Sequence, residues 1–204
     1  GFMAASSNLN QKPSIVYNLL KGFEVAGNSE LNGGSSKTML AVFRTGANLA
    51  GWQTIAEMGD FGAGYNLYVH NGRAYFGIWH PSSTLFVSRE VNVNSNYLAQ
   101  WTFDQGNIRW SLNDFSSNTT YTPTTITGNA TTSGIGANVN GTRYHNRVEI
   151  GSYTQSFRGE IPEIIIYNST DEILRERAFA YLNAKYNLGV TGNPFLKSVD
   201  DESG

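Results

Sequence analysis

Residues 157–167 (FRGEIPEIIIY) read as a buried strand that runs, within a few residues, into a single amphipathic helix at 171–186. The rest of the chain reads as strands and turns, so the fold must be built from β-structure and must find one place to dock a helix. Ser169 stands as the helix N-cap with Glu172 three residues on, the reciprocal arrangement that satisfies free backbone N–H groups. Asp171 adds negative charge at the positive end of the helix dipole and lies four residues before Arg175. Leu174, Ala178, Tyr181, Leu182 and Tyr186 form the expected docking face, and Gly189 the expected left-handed C-terminal cap.

The strands announce themselves by alternation and by their turns. Residues 65–70, Asn71-Gly72 and residues 73–79 form the clearest hairpin, because Asn-Gly supplies the two positive-φ positions of a type I′ turn. Asp104-Gln-Gly106 is a second hairpin turn, between strands at 97–104 and 107–112. Further strands are expected at 15–20 (on an edge), 38–44, 54–58, 85–93, 147–152 and 160–167. Residues 115–141 are rich in Thr, Asn, Ser and Gly without a clean period, and are expected to hold one or two short strands and long exposed loops.

Composition narrows the function. With 204 residues, 40% hydrophobic and 13% aromatic, the chain has the material for one core, and it carries only 15% charged residues. A surface of hydroxyls and amides follows, and a formal net charge of −2 gives no electrostatic reason for nucleic acid as a partner. No apolar run reaches the length of a membrane span. There are no cysteines, which excludes thiolate metal sites, cysteine nucleophiles and disulfides. Residues 1–13 read as a disordered polar leader, 14–192 as the domain, and 193–204 as a polar tail or linker, so the chain is expected to be a module of a longer protein.

His70, His80 and His145 are scattered, with no H-x-H or H-x-x-x-H pair to hold a metal. No nucleophile elbow or phosphate loop is present. Asn-x-Ser/Thr sequons at Asn118, Asn129, Asn140 and Asn168 are expected by chance in so Asn- and Thr-rich a chain.

Phe157, Gly159, Ile161, Glu163, Tyr167 and Asn168, followed by Tyr181, Leu182, Lys185, Tyr186 and Leu188, form a recognisable signature. So do Arg44-Thr-Gly46, Gln53, Glu57, Gly59, Gly64, Asn66, Tyr68, Gly72 and Trp79. Together, over about residues 38–80 and 147–190, the chain resembles the bacterial type of laminin-G-like module in the concanavalin A-like lectin/glucanase superfamily. The resemblance implies an all-β jelly-roll β-sandwich of two antiparallel sheets with one C-terminal α-helix. Glucanases of that superfamily place paired carboxylates at even spacing on one strand face, as nucleophile and acid/base. Here Glu57-Met-Gly-Asp60 has odd spacing and a strand-breaking glycine, and Glu160 and Glu163, three apart, are expected on opposite faces, so no enzyme is expected. Gln53, Glu57 and Asn66 are expected to tie loops to strands, because buried polar groups need partners.

A glycan site needs an exposed ring for the C–H face of a sugar and planar polar groups for its hydroxyls. The candidates are Trp52, Asp60 and Phe61, then Trp79 and His80, then Tyr144, His145 and Asn146, on loops that a sandwich would gather along one rim. Trp52 or Tyr144 is the expected stacking ring, with Asp60 or Asn146 orienting hydroxyls. Calcium is a further candidate ligand, through Asp60, Asp104 and Asp114, although no EF-hand pattern is present. The sequence thus points to a non-catalytic extracellular or cell-surface recognition module for a glycan or a surface protein. A structural spacer or assembly domain of a surface or virion protein is the alternative, and an unrecognised glycan-active enzyme the next.

Overall fold

The computed structural model describes residues 5–18, 22–128, 132–151 and 154–191. Residues 1–4 of the expected leader, the end of the 15–20 strand, Asn129, Ser152 and the 193–204 tail lie outside the described residues.

The elements run in chain order as β1 (Ile15–Asn18), β2 (Phe23–Ala26), a short helix α1 (Ser29–Asn32), β3 (Ser36–Thr45) and β4 (Trp52–Gly59). Then come β5 (Gly64–His70), β6 (Arg73–His80), β7 (Ser83–Glu90), β8 (Asn96–Asp104), β9 (Asn107–Leu112) and β10 (Phe115–Thr120). The last are β11 (Thr132–Ile135), β12 (Thr142–Arg143), β13 (Glu149–Ile150), β14 (Arg158–Tyr167) and α2 (Glu172–Tyr186). One six-stranded sheet has the order β1-β14-β3-β8-β9-β10 and the other β2-β11-β4-β5-β6-β7. Within both, every strand pairing is antiparallel. This is the jelly-roll sandwich with a C-terminal helix, and its edges are β1, β10, β2 and β7.

Alternation places the core. Met39, Ala41 and Phe43 of β3 face the second sheet and share one core with Trp101 and Trp110 of their own sheet and with Tyr65, Leu67 and Phe76 of the other. Leu40 and Val42 point outward beside Leu98 of β8, where Phe179, Leu182 and Tyr186 of the helix cover them. Residues 39–43 of β3 are therefore all buried: one face meets a sheet and the other a helix. The Asn71-Gly72 turn has φ of 46° and 80°, and Gln105-Gly106 has 47° and 95°, the positive-φ pairs expected of both hairpins.

Four sequence expectations change. The helix buries Arg175, Phe179, Leu182 and Tyr186, while Leu174 and Tyr181 are about half exposed, so the docking face is rotated from the one expected. Its N-cap is Asp171, whose carboxylate accepts from Leu174 N at 2.8 Å; Ser169 instead accepts from Asp171 N, and the left-handed C-cap is Asn187. Residues 5–13, expected as a disordered leader, pack against the fold: Leu9 is fully buried beside Leu182, and Asn10 donates to Lys185 O at 3.0 Å. Asp171→Ala should cost about 1 kcal/mol in urea unfolding, the usual worth of an N-cap side chain. Ser169→Ala costing as much would return the cap to Ser169.

Candidate functional site

At the C-terminal end of β4 the chain turns through Asp60–Ala63 into β5. Gly59 and Gly64 face each other so closely that a Cβ on Gly59 would lie 2.5 Å from Ala63 O, and one on Gly64 2.4 Å from Met58 O. Asp60 Oδ1 closes the turn by accepting from Gly62 N at 2.6 Å and Ala63 N at 3.1 Å. Beneath it, Trp79 Nε1 donates to Asp60 O at 2.8 Å. Trp79 is 1% exposed and serves as the turn's floor, so it is not a docking ring.

Phe61 is the exposed ring, at 42%. It lies over Gly141, where a Cβ would come within 2.6 Å of the ring. Arg143 Nη2 donates to Phe61 O at 3.0 Å and to Glu149 Oε1 at 2.6 Å, so the segment behind the turn holds the ring's backbone. The result is an open groove of about 760 Å³ lined by Asp60, Phe61, His80, Pro81, Thr127 and Asn140. His80 Nδ1 is shared with Ser82 Oγ at 3.0 Å, which orients the imidazole at the groove wall. A ring, a carboxylate, an amide, an imidazole and a hydroxyl thus face one space, as saccharide recognition requires. Thr127 and Asn140 were not expected; both come from the aperiodic 115–141 stretch, in which Asn140 stood out only as one of three sequons.

Trp52, Tyr144 and His145 form a different assembly, on the outer face of the second sheet. Trp52 stacks on His70 (centroids 3.8 Å apart) and on Tyr144 (4.5 Å), and His145 stacks on Tyr75 (4.2 Å). Tyr144 is fully buried, its hydroxyl 2.6 Å from Thr54 Oγ1, and burial pushes its phenol far up. Neither Trp52 nor Tyr144 is therefore a free platform: both rings are spent on the protein's own packing. His145 N donates to Tyr68 Oη at 3.0 Å, and the same hydroxyl shares a second hydrogen bond with His145 Nδ1 at 2.9 Å. Burial, with His70 nearby, lowers the His145 pKa. Asn146 is exposed at φ 62° in the following turn and lines no part of the Phe61 groove.

The expected ties are present. Gln53 Nε2 donates to Asn48 O at 2.9 Å and Asn66 Nδ2 to Thr142 Oγ1 at 2.9 Å, while Glu57 Oε2 accepts from Val139 N at 3.1 Å. Glu57 is fully buried, its Oε1 has no hydrogen-bond partner among the described residues, and burial holds its carboxyl up at about 8. A β-bulge between Glu160 and Glu163 reverses the expectation for that pair: Glu160 lies opposite Arg44 and Glu163 opposite Val42, so both face outward. Glu163 is held there by Lys185 at 2.7 Å and Tyr186 at 2.8 Å. Among the described residues no three His, Asp or Glu side chains come together as a metal-ligand set. Asp60, Asp104 and Asp114 bond separately to Gly62, Ser36 and Thr191, so the calcium reading finds no support.

No protein-family model and no curated protein matches the chain. Solved structures do. The binding domain of botulinum neurotoxin DC in complex with SialylT superposes with a TM-score of 0.60 at 13% identity, over 89% of this chain and 44% of that one. Mouse laminin alpha1 chain domains LG4-5 give 0.56 at 14%, over 83% and 43%. The Ruminococcus gnavus IT-sialidase CBM40 bound to alpha2,3 sialyllactose gives 0.60 at 14%, over 81% of this chain and 95% of that one. The chain thus spans less than half of the toxin domain and of the laminin pair, and nearly all of the sialidase module. The fold is laminin-G-like.

Proposed function

We propose that this chain is a non-catalytic carbohydrate-recognition module that holds a saccharide in the Phe61 groove, as part of a longer exported protein. The observation that carries this is the exposed Phe61 ring beside Asp60, His80, Thr127 and Asn140 in one open groove. A sugar would lay its C–H face on the ring and turn its hydroxyls to the amide, carboxylate and imidazole. The turn is fixed before any ligand arrives, by Asp60, Trp79 and Arg143, which keeps the ordering cost of binding low. Two of the similar folds are described with sialylated ligands, which supports the class without fixing the sugar. Another is described in complex with rat synaptotagmin II, so a protein ligand on such a fold has a precedent.

A glycan array followed by calorimetry tests the proposal. Phe61→Ala should weaken binding by about 1–3 kcal/mol, as for an anchor ring, with an unchanged melting temperature because Phe61 is largely outside the core. Failure of the array to show any ligand would hand the chain to the spacer reading. Release of reducing sugar, abolished by Asp60→Asn, would hand it to catalysis.

A further inference from the structure

A second groove, of about 690 Å³, lies beyond the other end of β4. Its lining includes Asn8, Tyr17, Arg44, Asn48, Arg158 and Glu160. The site is built, and buried Gln53 builds it. Its Nε2 holds the carbonyls of Asn48 at 2.9 Å and Ala50 at 3.2 Å, and its Oε1 accepts from Arg158 N at 3.1 Å. The floor is bare backbone. A Cβ on Gly46 would lie 2.5 Å from Arg158 O, and one on Gly159 2.1 Å from Arg44 O.

The charged residues form a row. Arg158 and Glu160 alternate along β14, and Glu160 lies opposite Arg44 on β3, so all three side chains leave the same outer face. Arg44 Nε stands 3.8 Å from Glu160 Oε1, and its Nη1 donates to Asn96 Oδ1 at 3.1 Å. Among the described residues Arg158 Nη1 makes one long bond, to Ala50 O at 3.4 Å. Glu160 Oε2 is buried and, among the described residues, has no donor. Two guanidinium groups against one carboxylate leave net positive charge with planar donors to spare, which selects an anion of carboxylate geometry. The orphaned Glu160 oxygen asks for the reverse, a hydroxyl that donates, since a buried acceptor without a partner is costly. One ligand class carries both groups on a rigid frame.

We propose that this groove is a second binding site, for a sugar that bears a carboxylate: the acid sits on Arg158 and Arg44, and a ring hydroxyl donates to Glu160. It is separate from the Phe61 groove and does not rest on the reading of that groove.

The test is an amide-resolved NMR titration of the chain with sialyllactose and with lactose, which lacks the acidic sugar. Sialyllactose should shift the amides of Gly46, Ala47, Asn48 and Gly159, and lactose should not. Arg158→Ala should weaken that binding about tenfold or more, the charge-assisted bonds being the strong ones, whereas Phe61→Ala should leave these shifts unchanged. Should Arg158→Ala perturb folding, Arg158→Lys, which keeps the charge but not the two-pronged geometry, should still weaken binding. Sialyllactose shifts confined to the Phe61 turn, or wild-type affinity in the Arg158 variants, would overturn the second site. Equal shifts with inorganic phosphate would make it a general anion site and overturn the sugar assignment.

Discussion

Leu182→Ala is expected to lower the unfolding free energy by about 2–5 kcal/mol, as for other large-to-small core substitutions. Leu182 is fully buried in the layer between the first sheet and α2, against Leu9, Leu40, Val42, Leu98, Phe179 and Tyr186. Nothing in that layer is free to collapse into the space, because β3 is fixed on both sides by β14 and β8. A helix of 15 residues is marginal by itself in water, so its persistence depends on this contact. Ile173→Ala is the internal control: at 62% exposure it should cost no more than about 0.5 kcal/mol. Urea unfolding of both variants decides. Equal effects would mean that the helix does not dock by the Leu182 face.

Glu57→Gln is expected to stabilise the protein at pH 8, by about 2–3 kcal/mol, and to leave it within about 1 kcal/mol of wild type at pH 4. The folded carboxyl, pushed by burial to about 8, keeps its proton where the unfolded chain, near 4.5, has already released it. Between those values the folded state binds more protons, so wild-type stability falls as pH rises through that window and levels off above it. Glutamine carries no titrating proton and escapes the fall, while its carbonyl can still accept from Val139 N. The gain is less than the full linkage effect because its amide N–H groups come to stand where Oε1 has no partner among the described residues. Thermal melts of both proteins from pH 4 to 8 measure this. A stability difference independent of pH would show that Glu57 is ionised in the folded state.

The strand plan was legible because its signals are local. Alternation and the Asn71-Gly72 and Gln105-Gly106 turns need no tertiary information, and they placed β5, β6, β8 and β9 to within a residue or so. The helix existed as expected, and Leu182 and Tyr186 face inward as expected, but the buried face is rotated toward Phe179 and Arg175, whose guanidinium is buried beside Glu172 at 3.4 Å, where a stripe count favours Leu174 and Tyr181. The bulge that brings Glu160 and Glu163 to one face has a sequence trace, Pro162, which an unbroken central strand would not accommodate. Of the proposed groove, Asp60 and Phe61 were readable as a polar and an aromatic residue beside turn glycines, and His80 as a polar residue beside Pro81. Trp52 and Tyr144 were not, because an aromatic residue that stacks on other rings of its own protein looks, in sequence, like one that waits for a sugar. Thr127 and Asn140 come from a stretch without period, and only three-dimensional closure brings them to the groove.

The four edge strands carry one more consequence, which concerns crowding. An open edge offers unpaired backbone groups to the next molecule, and a long flat apolar edge invites growth into ribbons. Here β1 and β2 are four residues each, β10 reads FSSNTT, and β7 ends in Arg89 and Glu90, both exposed. Borders that are short, rich in hydroxyls or, like the longer β7, closed by exposed charges give a neighbouring copy little to zip onto. Crowded copies therefore have little backbone through which to fuse into fibres.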